Sequence, residues 1–375
     1  MRQWLTNVFR LGLKELSSLR ADPVLILLIV YIFSFAVYSV ATGAKLEVSN
    51  ASVAYSDQDR SALTGRILGA ILPPEFNAPQ EIAADEVESV MDSGKFVFVL
   101  SFPPAFEADV LKGHKPQAQL NVDATAMAQA GNGSVFLQQI IRAEVAKFVS
   151  GEDTTTTLPI NLVVRTRFNP NLNSVWFSSV MQIINNITIL SVLLTGAALI
   201  REREHGTIEH LLVMPVTPSE IMVAKIWANG LAIVVAAILS LWFVVQTVLA
   251  VPIAGSVALF VVGAVLYLVS VTGLGILLAT FTTSMPQFGL LSLPVLVIMN
   301  LLSGSTTPME SMPVWLQNVM QLAPSTHFVA FSQAILYRGA GLDIVWPDMV
   351  VMVALSAVFF IIALKRFRLT MASVH

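Results

Sequence analysis

The chain has 375 residues, 55% of them hydrophobic and only 12% charged, with a formal net charge of −3. A soluble domain carries about twice that share of charge, so a wholly water-soluble fold is excluded, and no nucleic-acid partner is expected. Cysteine is absent, which excludes disulfides and thiolate metal sites and leaves the redox compartment open.

From the N-terminus, Leu5, Val8, Phe9, Leu16 and Leu19 fall at helical spacing, with Gln3, Asn7, Arg10 and Lys14 opposite. This predicts an amphipathic helix over 1–23 that lies in the inner headgroup layer and meets the lipid bilayer with its apolar face. Asp22-Pro23 breaks it before the chain turns into the membrane. The run 24–42 is then a first span. Thr42-Gly43-Ala44 resembles a cleavage site, but the apolar core is longer than the ~7–15 residues of a signal peptide, so retention is expected.

A 132-residue insert, 43–174, follows, with 15 acidic and 10 basic residues. It is long enough for one small water-soluble domain. Residues 51–55 read as a strand, 57–71 as a helix opening on Asp57, 81–93 as a helix and 96–100 as a buried strand. A short helix starting at 103–106 stops at Gly113; 117–122 alternate as a strand, and 134–149 form an amphipathic helix. The order βααβαβα indicates an α/β or α+β domain. Residues 150–157, with four consecutive threonines, read as a linker.

The remainder, 175–375, is a membrane domain. Apolar runs at 175–200, 223–250, 256–280, 287–303 and 347–364 approach the roughly 20 residues that cross ~30 Å of hydrocarbon. The run 287–303 is short and holds Pro294. With the first span they predict an α-helical polytopic membrane protein of six transmembrane helices carrying an inserted extracytoplasmic domain. Lys and Arg concentrate at 2–20, 201–225 and 365–368, while 251–255 has none and 304–346 only Arg338. An even span count with both termini cytoplasmic satisfies this pattern and places the insert outside.

The join between the second and third spans is the densest charge cluster of the membrane part: Arg201, Glu202, Arg203, Glu204 and Glu209, followed by the apolar edge Ile208, Leu211 and Leu212. It predicts a short surface helix over 201–213 built to touch another protein. Thr217, Pro218 and Glu220 supply a cap, a first-turn proline and a capping box for the third span. After the fifth span, Met312, Trp315, Leu316, Val319 and Leu322 form an apolar stripe interrupted by Pro324, expected to lie on or dip into the outer face as an interfacial segment, 304–346.

No apolar core carries a buried charge in this reading; Asp348 sits at the rim of the sixth. Ion-coupled transporters place ionisable groups inside the bundle, so a proton-driven pump is disfavoured. Asn185, Asn186, Asn229 and Asn300 are uncharged candidates for helix packing or a substrate path, and Gly273 and Gly275 allow close helix approach or mark a subunit interface. No Gly-x-x-x-x-Gly-Lys-Ser/Thr loop occurs; Gly94-Lys95 lacks the leading glycine and the following hydroxyl. The histidines at 114, 205, 210, 327 and 375 are scattered, so neither a metal site nor a catalytic role is expected. A membrane-anchored sensor or assembly protein with a ligand-binding external domain is the alternative these features leave open.

At Arg201-Glu202-Arg203-Glu204 with Gly206-Thr207, Glu209, Leu211-Leu212 and Pro215, the chain resembles the permease subunit of a type-2 ABC exporter. Pro103-Pro104-x-Phe106, Leu111-x-Gly113 and Asn121-x-Asp123 resemble the drug- and antibiotic-exporter branch. Leu322-Ala323-Pro324 with His327-Phe328 and Arg338-Gly339 is similar to the family's segment before the last span. The resemblance implies an efflux permease of a bacterial inner membrane that pairs with a second permease, as homodimer or heterodimer. It implies a separate ATPase subunit that binds ATP and Mg, with no cofactor on this chain. Glu202, Glu204 and Glu209 would then contact the ATPase, and Gly206-Thr207 would shape the coupling helix. The external domain is left two roles, contact with a periplasmic membrane-fusion adaptor or gating of release.

Overall fold

The computed structural model describes residues 2–43, 50–92, 95–123, 127–150, 173–204 and 216–372. The chain divides into two compact units, Met1–Gly43 with Val175–His375, and Ala44–Ser174.

The first helix, α1 (Arg2–Ala21), is amphipathic as expected, and Leu5, Phe9 and Leu13 stay exposed. The adjoining face is packed within the unit rather than given over to lipid or water. Val8 and Gly12 are buried, and the Trp227 indole lies where a Cβ at position 12 would meet it at 2.0 Å. Only glycine lets α1 come that close. The same indole donates its Nε1–H to the Val8 carbonyl at 3.2 Å and stacks on Phe9. Asp22 then caps α2 (Pro23–Gly43), its carboxylate accepting the Val24 and Leu25 N–H groups at 3.1 Å. A π-helical turn at Ile32–Ala36 interrupts α2.

The second unit is built on a four-stranded sheet of β1 (Val53–Asp57), β2 (Gln80–Glu81), β3 (Phe98–Phe102) and β4 (Gln119–Val122), ordered β2-β1-β3-β4. β1 runs parallel to β2 and β3, and β4 is antiparallel to β3. Side-chain alternation splits the core. Val53, Phe98, Leu100 and Phe102 pack on the helices α3 (Ala62–Gly69), α5 (Phe106–Leu111) and α6 (Met127–Ser150); Ala54 and Val99 face Val87, Val90 and Met91 around α4 (Val87–Asp92). The expected elements are present with strands displaced by about two residues, and β2 is added. The helix expected to open on Asp57 opens on Ser61, whose hydroxyl caps the Thr64 N–H. Asp57 ends β1 instead: its carboxylate accepts from the Asp59 and Arg60 N–H groups and folds a turn, with Arg60 at φ 50°.

The membrane unit resumes with α7 (Ser174–Glu204), the most buried of the long apolar helices, and α8 (Pro218–Val248), entered through the expected Thr217–Glu220 capping box. Next come α9 (Val257–Thr280), α10 (Met285–Leu301), α11 (Val314–Met320), α12 (Pro324–Leu336) and α13 (Leu342–Ala372). Five helices among the described residues are long and apolar enough to cross a membrane, not six. The shortfall is α10, only 17 residues long and interrupted by Pro294. A helical polytopic membrane protein is nevertheless what these elements form.

The structure adds detail to two expectations about this unit. The segment 304–346 does not lie wholly on a surface, because α12 is buried between α9 and α13. Phe328 stacks on Tyr267 with ring centroids 4.2 Å apart, and Phe331 fills the space beside Gly263. His327 Nδ1 stands 3.5 Å from Asp348 Oδ1 and ties α12 to α13. α11 fits the interfacial expectation, with Trp315 67% exposed and Met320 turned inward. Gly273 and Gly275 serve the chain's own packing: a Cβ at 273 would touch the Phe359–Phe360 backbone at 3.6 Å, and one at 275 would meet the Val192 carbonyl oxygen at 2.8 Å.

Candidate functional site

The apolar stretch of α7 ends at Ile200, but the helix does not. Arg and Glu are strong helix formers, and α7 continues through Arg201, Glu202, Arg203 and Glu204 as its last turn. These four residues therefore do not open a separate surface helix, as the sequence suggested. Gly206, Thr207 and Glu209, with the rest of 205–215, lie outside the described residues.

Each of the four side chains holds a different neighbour. Arg201 Nη1 donates to Asp22 Oδ2 at 3.0 Å, joining α7 to the cap of α2. The Leu25 N–H, with Arg201 and Val24 adding to it, outweighs burial and holds the Asp22 carboxyl below its ordinary value. Glu202 Oε2 is 3.0 Å from Lys225 Nζ on α8, and Lys225 also meets Glu15 Oε1 of α1 at 3.1 Å. Lys14 approaches Glu202 Oε1 at 3.5 Å. Arg203 donates Nη1–H to the Thr282 carbonyl after α9. Glu204 Oε1 accepts the Met285 N–H at 3.0 Å, at the positive end of α10. A second junction links α1 to the start of α8: Asn7 donates to Glu220 Oε1 at 3.0 Å and Trp4 to Ser219 Oγ at 3.5 Å.

The Lys225 side chain is only 2% exposed, so the reading that no apolar run holds a buried charge is corrected at this end of the bundle. Sequence reasoning missed Asp22, Lys14 and Lys225, with Glu15 behind Lys225, as partners of the cluster. The available signal was a lysine near the start of the apolar run 223–250, between Ala224 and Ile226. In such a position a cation is buried only with carboxylates beside it.

The amides are dispersed along the bundle. Gln182 donates to Asn186 Oδ1 at 2.9 Å, and Asn186 donates Nδ2–H to the Ile32 carbonyl at 2.7 Å, in the π-helical turn of α2. Asn229 donates to Thr195 Oγ1 at 3.3 Å. Asn185 is buried, whereas Asn300 is half-buried near the end of α10. The Asn186 contact with Ile32 and the Asn229 contact with Thr195 are interhelical, and the Gln182 contact lies within α7. Among the described residues no cluster of three metal-ligating side chains occurs.

A bundle of apolar helices long enough to cross a membrane, clamped at one end by ion pairs, is the architecture of a polytopic membrane protein. Residues 23–365 match the model of the ABC-2 family transporter proteins, and the chain belongs to that family. It is 49% identical over 369 residues to the inner membrane transport permease YhhJ of Escherichia coli (strain K12), covering 98% of this chain and 99% of that one. It is 32% identical over 375 residues to the probable multidrug ABC transporter permease YbhR of the same strain, with 95% and 96% covered. A third relative there, the probable multidrug ABC transporter permease YbhS, is 24% identical over 368 residues. This is a family of permeases and not of enzymes.

Proposed function

We propose that the chain is the membrane-spanning subunit of an ATP-driven exporter. With a second permease, identical or paired, it forms the path by which a drug-like or amphiphilic substrate leaves the cell. A separate ATPase subunit binds ATP and Mg and supplies the energy. The observation that supports the coupling is the clamp at 201–204. A force applied through 205–215, where Gly206, Thr207 and Glu209 lie, would reach α1, α2, α8 and the α9–α10 turn together, and so bias a two-state rocking of the bundle. Glu209 is assigned to ATPase contact, while Arg201 to Glu204 hold the lever.

The 17 residues of α10 rise about 26 Å, enough for a sixth span in a slightly thinned bilayer. Six spans put both termini on one side, and the positive-inside rule makes it the cytoplasmic side of a bacterial inner membrane. The 44–174 unit is then external, where a membrane-fusion adaptor would meet the permease. The relatives' names support the drug-like substrate class.

The test is affinity purification of the tagged chain from its native membranes. A nucleotide-hydrolysing subunit should come with it, and Glu209→Lys should lose that subunit while inserting normally. Undiminished co-purification would remove 205–213 as the docking segment. Uphill transport by the lone chain in vesicles would end the coupling scheme altogether.

A further inference from the structure

In the 44–174 unit the strand order β2-β1-β3-β4 sends the chain from β1 to β2 on one side and returns it to β3 on the other. α3 packs on one face of the sheet, whereas α4 packs on the opposite face. The carboxyl ends of the parallel neighbours β1 and β3 therefore form a topological switch point, the place where open α/β sheets bind ligands. A cavity of about 940 Å³ opens there, within the ~300–1,000 Å³ of small-molecule sites. Ser56 and Gln58 bound it at the end of β1, and Ser101 and Pro103 at the end of β3.

Alternation along the strands decides what lines it. Ser56 and Ser101 are paired in register, on the face that carries Ala54 and Val99 two residues earlier. Val87, Val90 and Met91 cover that apolar pair, while the two serines border the cavity. Ser56 is only 4% exposed, and among the described residues none bonds its hydroxyl. A buried hydroxyl without a protein partner calls for water or a ligand to meet it. On the edge strand β4, Gln119 donates to Asn121 Oδ1 at 2.9 Å. That bond leaves an acceptor on Gln119 and a donor on Asn121 at the same wall.

The charged groups of the lining are Asp85 and Glu88, three residues apart at the entry to α4 and so on one helical side. Both are exposed, neither is ion-paired among the described residues, and no basic residue lines the cavity. Arg60, in the recess that adjoins it, pairs with Glu81 at 3.3 Å. This balance repels anions. The carboxylates alone would attract any cation, but the hydroxyls and amides beside them select one whose amines lie among hydroxyls. Val87 and Met91 offer ring carbons an apolar edge. We propose that the crevice binds a hydroxylated amine of the amino-sugar class. Its ammonium groups donate to Asp85 and Glu88, and its hydroxyls bond Ser56, Ser101, Gln119 and Asn121.

The test is isothermal titration calorimetry of the purified full chain in a polyoxyethylene detergent, which carries no sugar. Neamine (a two-ring amino sugar), trehalose and spermidine are titrated separately. No ATPase and no transport step enter, so the outcome is independent of the export scheme. Neamine should bind at roughly tenfold lower concentration than either other probe, the scale of one charge-assisted hydrogen bond. Asp85→Asn combined with Glu88→Gln should bring neamine to the level of trehalose. Ser56→Ala should weaken neamine by about fivefold without lowering the thermal midpoint. Glu75→Gln, a carboxylate by the amino end of β1, should change nothing. Spermidine binding as tightly as neamine overturns the sugar in favour of a plain polycation, and trehalose doing so overturns the amine. Absent neamine binding, or binding undiminished in the Ser56 or the double variant, overturns the site. An equal loss in Glu75→Gln reduces it to diffuse attraction by an acidic surface and overturns it too.

Discussion

Replacing Lys225 with methionine removes the one ammonium that Glu15 and Glu202 share, at 3.1 and 3.0 Å. Methionine has similar volume and high helix propensity, so packing and helix formation are nearly conserved and the change is electrostatic. Breaking a buried ion pair by removing one partner costs about 3–5 kcal/mol, because the remaining charge stays desolvated. Lys14, at 3.5 Å from Glu202, recovers part of this, so about 3 kcal/mol is the expected loss. With roughly 2–4 °C per kcal/mol for a unit of 150–250 residues, the thermal midpoint in detergent should fall by about 6–12 °C. Adding Glu15→Gln and Glu202→Gln to Lys225→Met removes the orphaned charges and should bring the midpoint back to within a few degrees of the unaltered chain, as neutral replacements of buried ion clusters do. Scanning fluorimetry on the single and triple variants reads both values. A Lys225→Met chain that melts within about 2 °C of the original, or a triple variant no better than the single one, would refute the claim that the buried triad holds this end of the bundle.

Gly275→Ala should destabilise by about 1–3 kcal/mol, since its Cβ would sit 2.8 Å from the Val192 carbonyl and push α9 off α7. Gly273→Ala, with ordinary contacts at 3.6 Å, should be nearly silent; thermal midpoints separate the two. Asn186→Leu removes the donor to the Ile32 carbonyl and should cost about 1–3 kcal/mol, read as faster proteolysis at the π-helical turn of α2. In the 44–174 unit, burial pushes the Asp59 carboxyl up, but hydrogen bonds from the Glu107 N–H, from Ser61 and from the Phe106 and Ala105 N–H groups outweigh it and hold the carboxyl below its ordinary value. A depressed carboxyl stabilises above its unfolded value of about 3.9 and loses that contribution as pH falls through the folded one. Protection factors of peptides across 98–122, corrected for the intrinsic pH dependence of amide exchange, should stay flat from neutral pH down to about pH 5, then fall below about pH 4. Asp59→Asn should flatten that acid limb, and an unchanged limb would assign it elsewhere.

The apolar runs were legible because hydropathy is additive along a chain and the bilayer sets a length against which to measure it. The cap of α8 was legible for a local reason, since Thr217, Pro218 and Glu220 act within one turn. Burial of α12 was not. Pro324, Ser325, Thr326 and Ser332 lower its hydropathy, yet all are buried, and Thr326 satisfies its hydroxyl by donating to the Met320 carbonyl at 2.8 Å. The Asp59–Glu107 exchange in the other unit was also hidden. There Glu107 accepts the Leu63 N–H while its own N–H is held by Asp59, so two helix starts are capped across 44 and 48 residues of sequence.

The charged cluster shows how composition can mark a cluster and still miss its geometry. Charge at the end of an apolar run reads as a boundary with water, and a surface helix is the natural inference. But consecutive residues on a helix are turned by about 100°, so four long charged side chains in a row point to four sides of α7. Arg201 reaches α2, Glu202 reaches α8 and α1, Arg203 the end of α9, and Glu204 the start of α10. Alternating sign is then what the surroundings demand, because a carboxylate cap and a buried lysine lie on different sides of the same turn. Glu15 and Lys225 are 210 positions apart, a separation at which neither periodicity nor local charge pairing carries information. A motif that looks built only for an outside partner is thus also the clamp of its own bundle, and any partner engaging 205–215 would act on helices already tied together.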